Sequence, residues 1–264
     1  KHRLKGVSII ARKLFCELSP LTYRISTCKE IALRRLRDVP LRSRFARQQS
    51  PALLPVRVYR HSSLIRRRLG EVDMALQDNK AVNLGLAAPR IDHLLIRPGE
   101  IFSFWQRVGD PTAAKGYREG LVIASGATGK GMGGGMCQFT NLIHWMVLHS
   151  ELTITERHHH DGVDLFPDFG RVIPFGTGTS ILYNYMDYRF RNDTDATCDY
   201  LHGELRCDRK PSRSFHIRCR DEFFSREADG VYRNNQIYRV TVDNATGQTL
   251  AQERIAQNHA KIAY

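Results

Sequence analysis

The chain has 264 residues and a net charge of +13, with 42% hydrophobic and 25% charged residues. This composition is typical of a globular protein and argues against an intrinsically disordered chain. No apolar run reaches the roughly 20 residues of a membrane-spanning helix. Six scattered cysteines are too few for a disulfide scaffold.

The positive charge is concentrated in residues 1–47, which contain 13 Lys or Arg against Glu17, Glu30 and Asp38. A basic segment of this kind either contacts an anionic surface or polymer or forms a solvated helical face, and both alternatives stay open. It contains no nucleic-acid-binding motif and no interleaved stacking aromatics. We therefore keep contact of residues 1–47 with an anionic surface as one of these two alternatives, and we expect no nucleic-acid partner.

The first residues are basic but do not match the pattern of a secretory signal peptide. The apolar stretch 7–10 is too short for the hydrophobic part of a signal peptide, and Arg12 and Lys13 follow it directly. The sequence therefore predicts a cytoplasmic protein with reduced thiols.

In the first third of the chain, apolar spacing and proline positions predict mostly helices. Apolar residues at three- and four-residue intervals favour a helix, and a proline ends one. The predicted elements, in chain order, are helices over residues 8–19 and 21–38, a strand over 56–59 and a helix over 71–88.

From residue 91 onward, short apolar strands and turns dominate. The pattern predicts strands over 94–96 and 121–124, a glycine-rich loop over 126–135, a helix over 137–149, and strands over 152–155, 181–190 and 236–242. Irregular alternation of helices and strands indicates an α+β fold. We expect a basic helical region (1–50), a mixed α/β core with a cysteine at a helix N-terminus (51–195) and a short β-rich C-terminal extension (196–264).

The densest chemical signal is a glycine run that ends in a cysteine at a predicted helix start: Gly133-Gly134-Gly135-Met136-Cys137-Gln138. Glycines permit positive φ angles and let a substrate approach the backbone. The positive end of the helix dipole favours a thiolate, and the N–H groups of the same turn can hold an oxyanion. We therefore predict Cys137 as a nucleophile, with Gly133, Gly134, Gly135 and Gln138 at the substrate.

A nucleophilic thiol needs a base, and Arg157-His158-His159-His160 follows the next predicted strand. If the strand continues, His158 and His160 share one face while His159 points away. His158 and His160 are therefore the predicted bases, and Arg157 is a predicted substrate contact. Asp161 or Asp164 is a candidate for orienting the imidazole.

Three alternatives stay open for this constellation. Cys137 can be a buried apolar residue. Cys137, His158 and His160 can also form a three-ligand zinc site, although we expect no metal and no cofactor. The segment Gly129-Lys130-Gly131-Met132-Gly133-Gly134 matches a dinucleotide-binding fingerprint. The other cysteines lack such a context and are interpreted as structural or incidental.

Several motifs of the chain together resemble the VanW family, which is named from glycopeptide-resistance gene clusters. The resemblance covers most of the chain. The motifs that carry it include Pro98-Gly99-Glu100-Ile101-Phe102-Ser103-Phe104-Trp105, Gly133-Gly134-Gly135-Met136-Cys137-Gln138, Glu156-Arg157-His158-His159-His160 and Asp164-Leu165-Phe166-Pro167-Asp168-Phe169-Gly170-Arg171.

Some VanW-domain proteins look like L,D-transpeptidases that cross-link peptidoglycan stem peptides through the motif cysteine. The resemblance therefore implies a cysteine-dependent acyl transferase, with Cys137 as nucleophile and His158 or His160 moving the protons. The expected partner is a peptidoglycan stem peptide or a cell-wall precursor, and this activity would place the protein in the cell envelope. The alternative is a non-catalytic accessory protein that binds envelope precursors or a resistance partner.

Overall fold

The structure is a computed structural model of the chain. It describes residues 14–66, 73–124, 127–159, 162–164, 172–201 and 203–264. The chain divides into two compact units, Lys1–Leu41 and Arg42–Tyr264. The boundaries predicted at residues 50 and 195 stay a prediction.

In the first unit, the main element is helix α1 (Pro20–Asp38), which confirms the helix predicted over 21–38. Ser19 caps its N-terminus by accepting a hydrogen bond from the Thr22 N–H, while the Thr22 side chain accepts one from the Ser19 N–H. This reciprocal pair is a capping box, which fixes where the helix begins. Part of the helix predicted over 8–19 lies outside the described residues, and Phe15–Glu17 is a single 3-10 turn.

The second unit contains helices α2 (Met74–Ala87), α3 (Phe104–Val108) and α4 (Cys137–Leu148). Two of them confirm predictions, because α2 occupies most of residues 71–88 and α4 occupies nearly all of 137–149. No helix in the described part of the chain is long and apolar enough to cross a membrane.

The strands of the second unit form separate sheets rather than one continuous sheet. In chain order they are β1 (Val56–Arg60), β2 (Leu94–Ile96), β3 (Ile101–Ser103), β4 (Glu119–Ala124), β5 (Ala127–Met132), β6 (Thr153–Glu156), β7 (Val163–Asp164), β8 (Arg189–Arg191), β9 (Cys198–Leu201), β10 (Glu204–Cys207), β11 (Arg213–Glu227), β12 (Gly230–Asp243) and β13 (Thr249–Ile262). The sheet orders are β1-β10-β9-β2, β11-β12-β13-β7, β3-β8-β6 and β4-β5. With helices at the N-terminus and a strand-rich remainder, the α+β prediction is confirmed.

Two predictions for the middle of the chain are wrong. The segment predicted as a glycine-rich loop is largely strand β5, whose missing Cβ at Gly131 leaves room for Val122 on β4. The strand predicted over 181–190 is mostly turns, and only Arg189–Arg191 forms β8.

The antiparallel β4–β5 hairpin also overturns the dinucleotide alternative. A dinucleotide-binding fingerprint joins a strand to a helix within a parallel βαβ unit. Here the strand before α4 pairs antiparallel with β4, and the strand after α4 pairs with β8 in another sheet.

Cys198 and Cys207 form a disulfide, which contradicts the prediction of reduced thiols throughout. They are direct cross-strand partners of the β9–β10 hairpin, with Cα atoms 4.1 Å apart. The sequence spacing of nine residues gave no signal for this pairing, because strand register depends on the hairpin turn.

The core of the second unit holds α4 against the short sheet β3-β8-β6. Phe102 and Phe190 stack across β3 and β8, with ring centroids 4.7 Å apart. Ile143 and Met146 of α4 are fully buried in the same apolar cluster. Burial of these side chains fixes the axis of α4 and therefore the position of Cys137 at its start.

Candidate functional site

A cavity of about 440 Å³ opens at the N-terminal end of α4. Its size is in the range of small-molecule sites, and its walls are mainly apolar. Cys137 lies at the first residue of the helix and lines the cavity. Other lining residues used below are Ser63, Gln77, Lys80, Gly133, Gly134, Gly135, Gln138, Asn141, His159, Gly176, Gly178 and Ile181.

The glycines before Cys137 are required by the packing of the turn itself. A Cβ at Gly134 would lie 2.2 Å from the carbonyl carbon of Gly120 on β4. Gly133 and Gly135 have φ angles of 69° and 89°, which other residues rarely adopt. At Gly135 a Cβ would also collide with the aliphatic stem of Lys80. The turn thus brings α4 close to β4 and α2, and it forms one wall of the cavity.

The thiol of Cys137 is less acidic than its position at a helix start predicts. The residue is partly buried, and burial raises the pKa of the thiol. Hydrogen bonds from the backbone of Ile181 and of Cys137 itself lower that pKa, but by less than burial raises it. Desolvation therefore opposes the thiolate that the helix dipole favours, and the role of Cys137 as a nucleophile stays a prediction.

One helical turn after the cysteine, α4 holds the segment that carries Ile181. Asn141 Oδ1 accepts hydrogen bonds from the Thr179 N–H at 2.6 Å and from the Thr179 hydroxyl at 2.9 Å. The Thr140 hydroxyl also contacts the Thr179 hydroxyl at 2.6 Å. These contacts fix the backbone that faces the Cys137 sulfur.

Two further polar groups of the cavity wall are held by side-chain contacts. Gln138 donates from Nε2 to the Leu64 carbonyl at 2.8 Å and to the Ser63 hydroxyl at 3.1 Å. Lys80 is buried, and its Nζ donates to Gln77 Oε1 at 2.5 Å. Gln138 therefore anchors a neighbouring loop, and Lys80 brings an amine into a mainly apolar wall.

Among the described histidines of the 158–160 run, His159 lines the cavity with Cys137, and His158 does not. Strand β6 ends at Glu156, so the alternation that paired His158 with His160 does not extend to the histidines. His158 Nε2 lies 2.9 Å from Glu156 Oε1 instead. His160 lies outside the described residues, and its predicted role stays a prediction.

The two residues before the histidines have structural partners. Arg157 donates from Nη2 to the Gly176 carbonyl at 2.9 Å and from Nε to the Gly178 carbonyl at 3.2 Å. Both glycines line the Cys137 cavity, whereas Arg157 itself lines a separate cleft. Arg157 was predicted to contact the substrate, and the structure places it behind the cavity wall.

Glu156 belongs to a buried ionic network that joins β6 to β8. Its Oε1 accepts from the Asp187 N–H at 3.0 Å, and its Oε2 lies 3.5 Å from Arg189 Nε. Asp187 in turn accepts from Arg189 Nε at 2.7 Å and from the Ser103 hydroxyl at 2.5 Å. Burial raises the pKa of the Asp187 carboxyl, against the opposing effect of Arg189. This network fixes where the histidine run leaves the sheet.

Sequence reasoning missed Asn141 and Lys80 as cavity residues, and it set His159 aside on the assumption that the strand continues through the histidines. Asn141 lies four residues after Cys137, and this spacing places both on one helix face, so a signal for it was present. Lys80 comes from α2, more than fifty residues earlier, and only the folded chain brings it to the site. No three His, Cys, Asp or Glu side chains cluster like metal ligands within the ranges that the structure describes.

Comparison with known proteins identifies relatives of the chain. Residues 79–204 match the family model described as VanW like protein. The chain is 35% identical over 200 residues to the vancomycin B-type resistance protein VanW of Enterococcus faecalis, which covers 73% of this chain and 72% of that protein. It is 32% identical over 117 residues to the uncharacterized protein YoaR of Bacillus subtilis, covering 43% of this chain and 36% of that protein. No solved structure matches the chain.

Proposed function

The chain belongs to the VanW family, and we propose that it is a cysteine-dependent acyl transferase of the L,D-transpeptidase type acting on peptidoglycan stem peptides or their precursors. The observation that carries this proposal is the position of Cys137, at a helix start inside a cavity that His159 also lines. The printed name of the Enterococcus relative supports a link to vancomycin resistance.

In the first half of the proposed reaction, the Cys137 thiol attacks a carbonyl of the donor stem. A C–S bond forms, the C–N bond to the leaving amine breaks, and a thioester remains on Cys137. Because burial raises the pKa of this thiol, its proton must leave as the attack occurs. His159 is our candidate base for that proton, which it then returns to the leaving amine. We propose that backbone N–H groups of the turn at the helix start hold the oxyanion.

In the second half, an amine of a neighbouring stem attacks the thioester. The C–S bond breaks, a new amide forms, and the amine proton returns through His159 to the thiol. This exchange fits glycopeptide resistance, because glycopeptides bind stems that end in D-Ala-D-Ala whereas such a transferase uses a donor stem lacking the last residue. We propose that Lys80, which lines the cavity, contacts a carboxylate of the donor.

The Cys198–Cys207 disulfide supports a location outside the reducing cytoplasm. Peptidoglycan stems are cross-linked in that outer compartment. We therefore propose the cell envelope as the site of action. Non-reducing peptide mapping of protein recovered from its own cells tests this location. Linked Cys198 and Cys207 peptides support it, and free thiols at both positions contradict it.

Turnover of a stem peptide by a Cys137→Ala variant tests the proposed chemistry. We expect the rate of cross-linked product formation, measured by mass spectrometry, to fall by at least about three orders of magnitude, as loss of a nucleophile predicts. Cys219→Ala is the matched control, because Cys219 is also a partly buried free cysteine. Equal turnover by the Cys137→Ala variant and the wild type would rule out the acyl-transfer proposal.

The raised pKa of Cys137 favours one second candidate, a non-catalytic accessory protein that binds envelope precursors. On this alternative the cavity holds a precursor and the thiol stays inert. It predicts that Cys137→Ala leaves precursor binding unchanged and that the wild type shows no turnover. Binding measured by calorimetry, together with the turnover assay, separates the two candidates.

A further inference from the structure

A second cleft, of about 560 Å³, lies further along α4 and is floored by the long C-terminal sheet. Arg213 and Phe215 of β11 line it, as do Arg239 and Thr241 of β12. Residues two apart on a strand share a face, and Phe215 pairs directly with Thr241. One face of this sheet is therefore the floor of the cleft.

A β-bulge in β13 brings further side chains to the same cleft. Tyr238 of β12 pairs with Arg254, whereas the preceding Ile237 pairs with Ala256, so one residue of β13 is extra. The consecutive residues 253–255 all line the cleft. A bulge re-aims side chains in this way and is common beside functional sites.

The cleft has an excess of positive charge. Four arginines line it, against two glutamates, and these residues are Arg157, Arg213, Arg239, Arg254, Glu151 and Glu253. Arg239 is held rigidly, because its Nε donates to the Leu148 carbonyl at 2.9 Å and its guanidinium lies 3.9 Å from the centre of the Phe215 ring. Arg213 and Arg254 are exposed to solvent.

His144 of α4 lines the same cleft and has an unsatisfied ring nitrogen. The residue is only 1% exposed, and its Nδ1 lies 3.1 Å from the Tyr188 hydroxyl. Its Nε2 is buried and has no hydrogen-bond partner among the residues that the structure describes. Buried polar atoms are nearly always paired, so this nitrogen indicates a missing partner.

The chemistry of the missing partner depends on which ring nitrogen of His144 carries the hydrogen. Burial lowers the pKa of its imidazole well below the usual range, so the ring is neutral. When Tyr188 donates its hydroxyl proton to Nδ1, the ring hydrogen lies on Nε2, which then needs an acceptor. An acceptor that also satisfies several arginines is an oxyanion.

We propose that this cleft is a binding site for an oxyanion group, a phosphate or a carboxylate, of a small ligand. Arg213 and Arg254 attract the anion, and His144 donates from the helix side. Arg239, whose Nη1 also lies 3.5 Å from Glu253 Oε1, adds a fixed positive charge. The site is separate from Cys137, and the inference does not depend on the acyl-transfer proposal.

Calorimetric titration of the full chain at low ionic strength tests the site, with inorganic pyrophosphate and citrate as probes. We expect an Arg213→Gln/Arg254→Gln variant to bind at least about tenfold more weakly than the wild type, because two charge-assisted contacts are lost. Arg218→Gln is the matched control, since Arg218 is also exposed on β11 but faces the opposite side of the sheet. Its affinity should equal that of the wild type.

The two probes distinguish the chemistry of the ligand. Binding of pyrophosphate alone indicates a phosphate ligand, and binding of citrate alone indicates a carboxylate. In either case, the ¹⁵N resonance of His144 Nε2 should shift on saturation. The proposal is overturned if neither probe binds the wild type, if the double variant binds as tightly as the wild type, or if the His144 resonance does not move.

Discussion

The two cavities along α4 are built from different parts of the chain. The cavity at Cys137 is shaped by backbone, because glycines of the preceding turn lie against β4 and glycines 176 and 178 form part of its wall. The second cleft is shaped by side chains, with arginines on one face of the C-terminal sheet. The first site therefore presents main-chain atoms, and the second presents charged side chains.

Arg157 connects the two sites. It lines the cleft, while its guanidinium donates to carbonyls of the loop that lines the Cys137 cavity. A single motif residue can therefore influence both sites without lining the first cavity. A residue next to a family motif can hold the wall of a cavity from behind instead of facing into it.

The largest expected effect is the loss of stability caused by a substitution in the glycine turn that forms a wall of the Cys137 cavity. Gly134→Ala should lower the free energy of unfolding by roughly 3 kcal/mol, because its Cβ has no room beside Gly120. Gly85→Ala on α2 is the control, since nothing lies within 4 Å and alanine favours a helix by about 1 kcal/mol. Urea unfolding of both variants measures the difference, and equal stability would show that the turn is not tightly packed.

The next largest expected effect is on turnover, and it distinguishes His159 from His158. His159→Gln should lower turnover of a stem peptide by about a hundredfold or more, as loss of a general base predicts. It should leave pyrophosphate binding at the cleft unchanged. His158→Gln is the matched control, because His158 pairs with Glu156 and does not line the cavity. A larger loss in the His158 variant would reverse our assignment of the base.

A smaller effect is expected on both sites from Arg157→Gln. Loss of its hydrogen bonds to the loop should lower turnover by about tenfold, and loss of its charge should weaken pyrophosphate binding by about the same factor. Arg218→Gln should change neither. If Arg157→Gln changes only one of the two measurements, the arginine does not connect the sites.

The smallest effect concerns the acidity of the thiol in the free protein. Because burial disfavours the thiolate, alkylation of Cys137 by iodoacetamide should rise only at a higher pH than that of N-acetylcysteine. Mass spectrometry of each cysteine peptide across pH measures this. Rapid alkylation at about pH 6 would show a lowered thiol pKa, as expected for an activated thiolate, and would contradict the buried thiol.

The sequence located the helix start and its cysteine correctly because the signals there are local. A run of glycines, which permits positive φ angles, followed by an apolar helix pattern predicts a turn and then a helix. This prediction needs no knowledge of the remaining fold. Positive φ angles and approach of a substrate do not fully explain these glycines. The contact of Gly134 with Gly120 arises from a hairpin pairing that sequence alone does not show.

The histidine geometry could not be predicted for a different reason. Strand alternation requires knowing where β6 ends, and that end is set by the Glu156 network with Asp187 and Arg189, about thirty residues later in the chain. The second cleft could not be predicted from the sequence either. The strand register of the C-terminal sheet is what brings Arg213, Arg239 and Arg254 together.

Intact-mass analysis of the protein during incubation with a donor stem peptide, without an acceptor, tests acyl transfer through Cys137 most directly. We expect a mass increase equal to the acyl part of the donor, located on Cys137 and released by hydroxylamine as a thioester is. The increase should be absent in the Cys137→Ala variant and present in the Cys219→Ala variant. Conversion of the donor to product without any adduct on Cys137 would contradict a thioester intermediate.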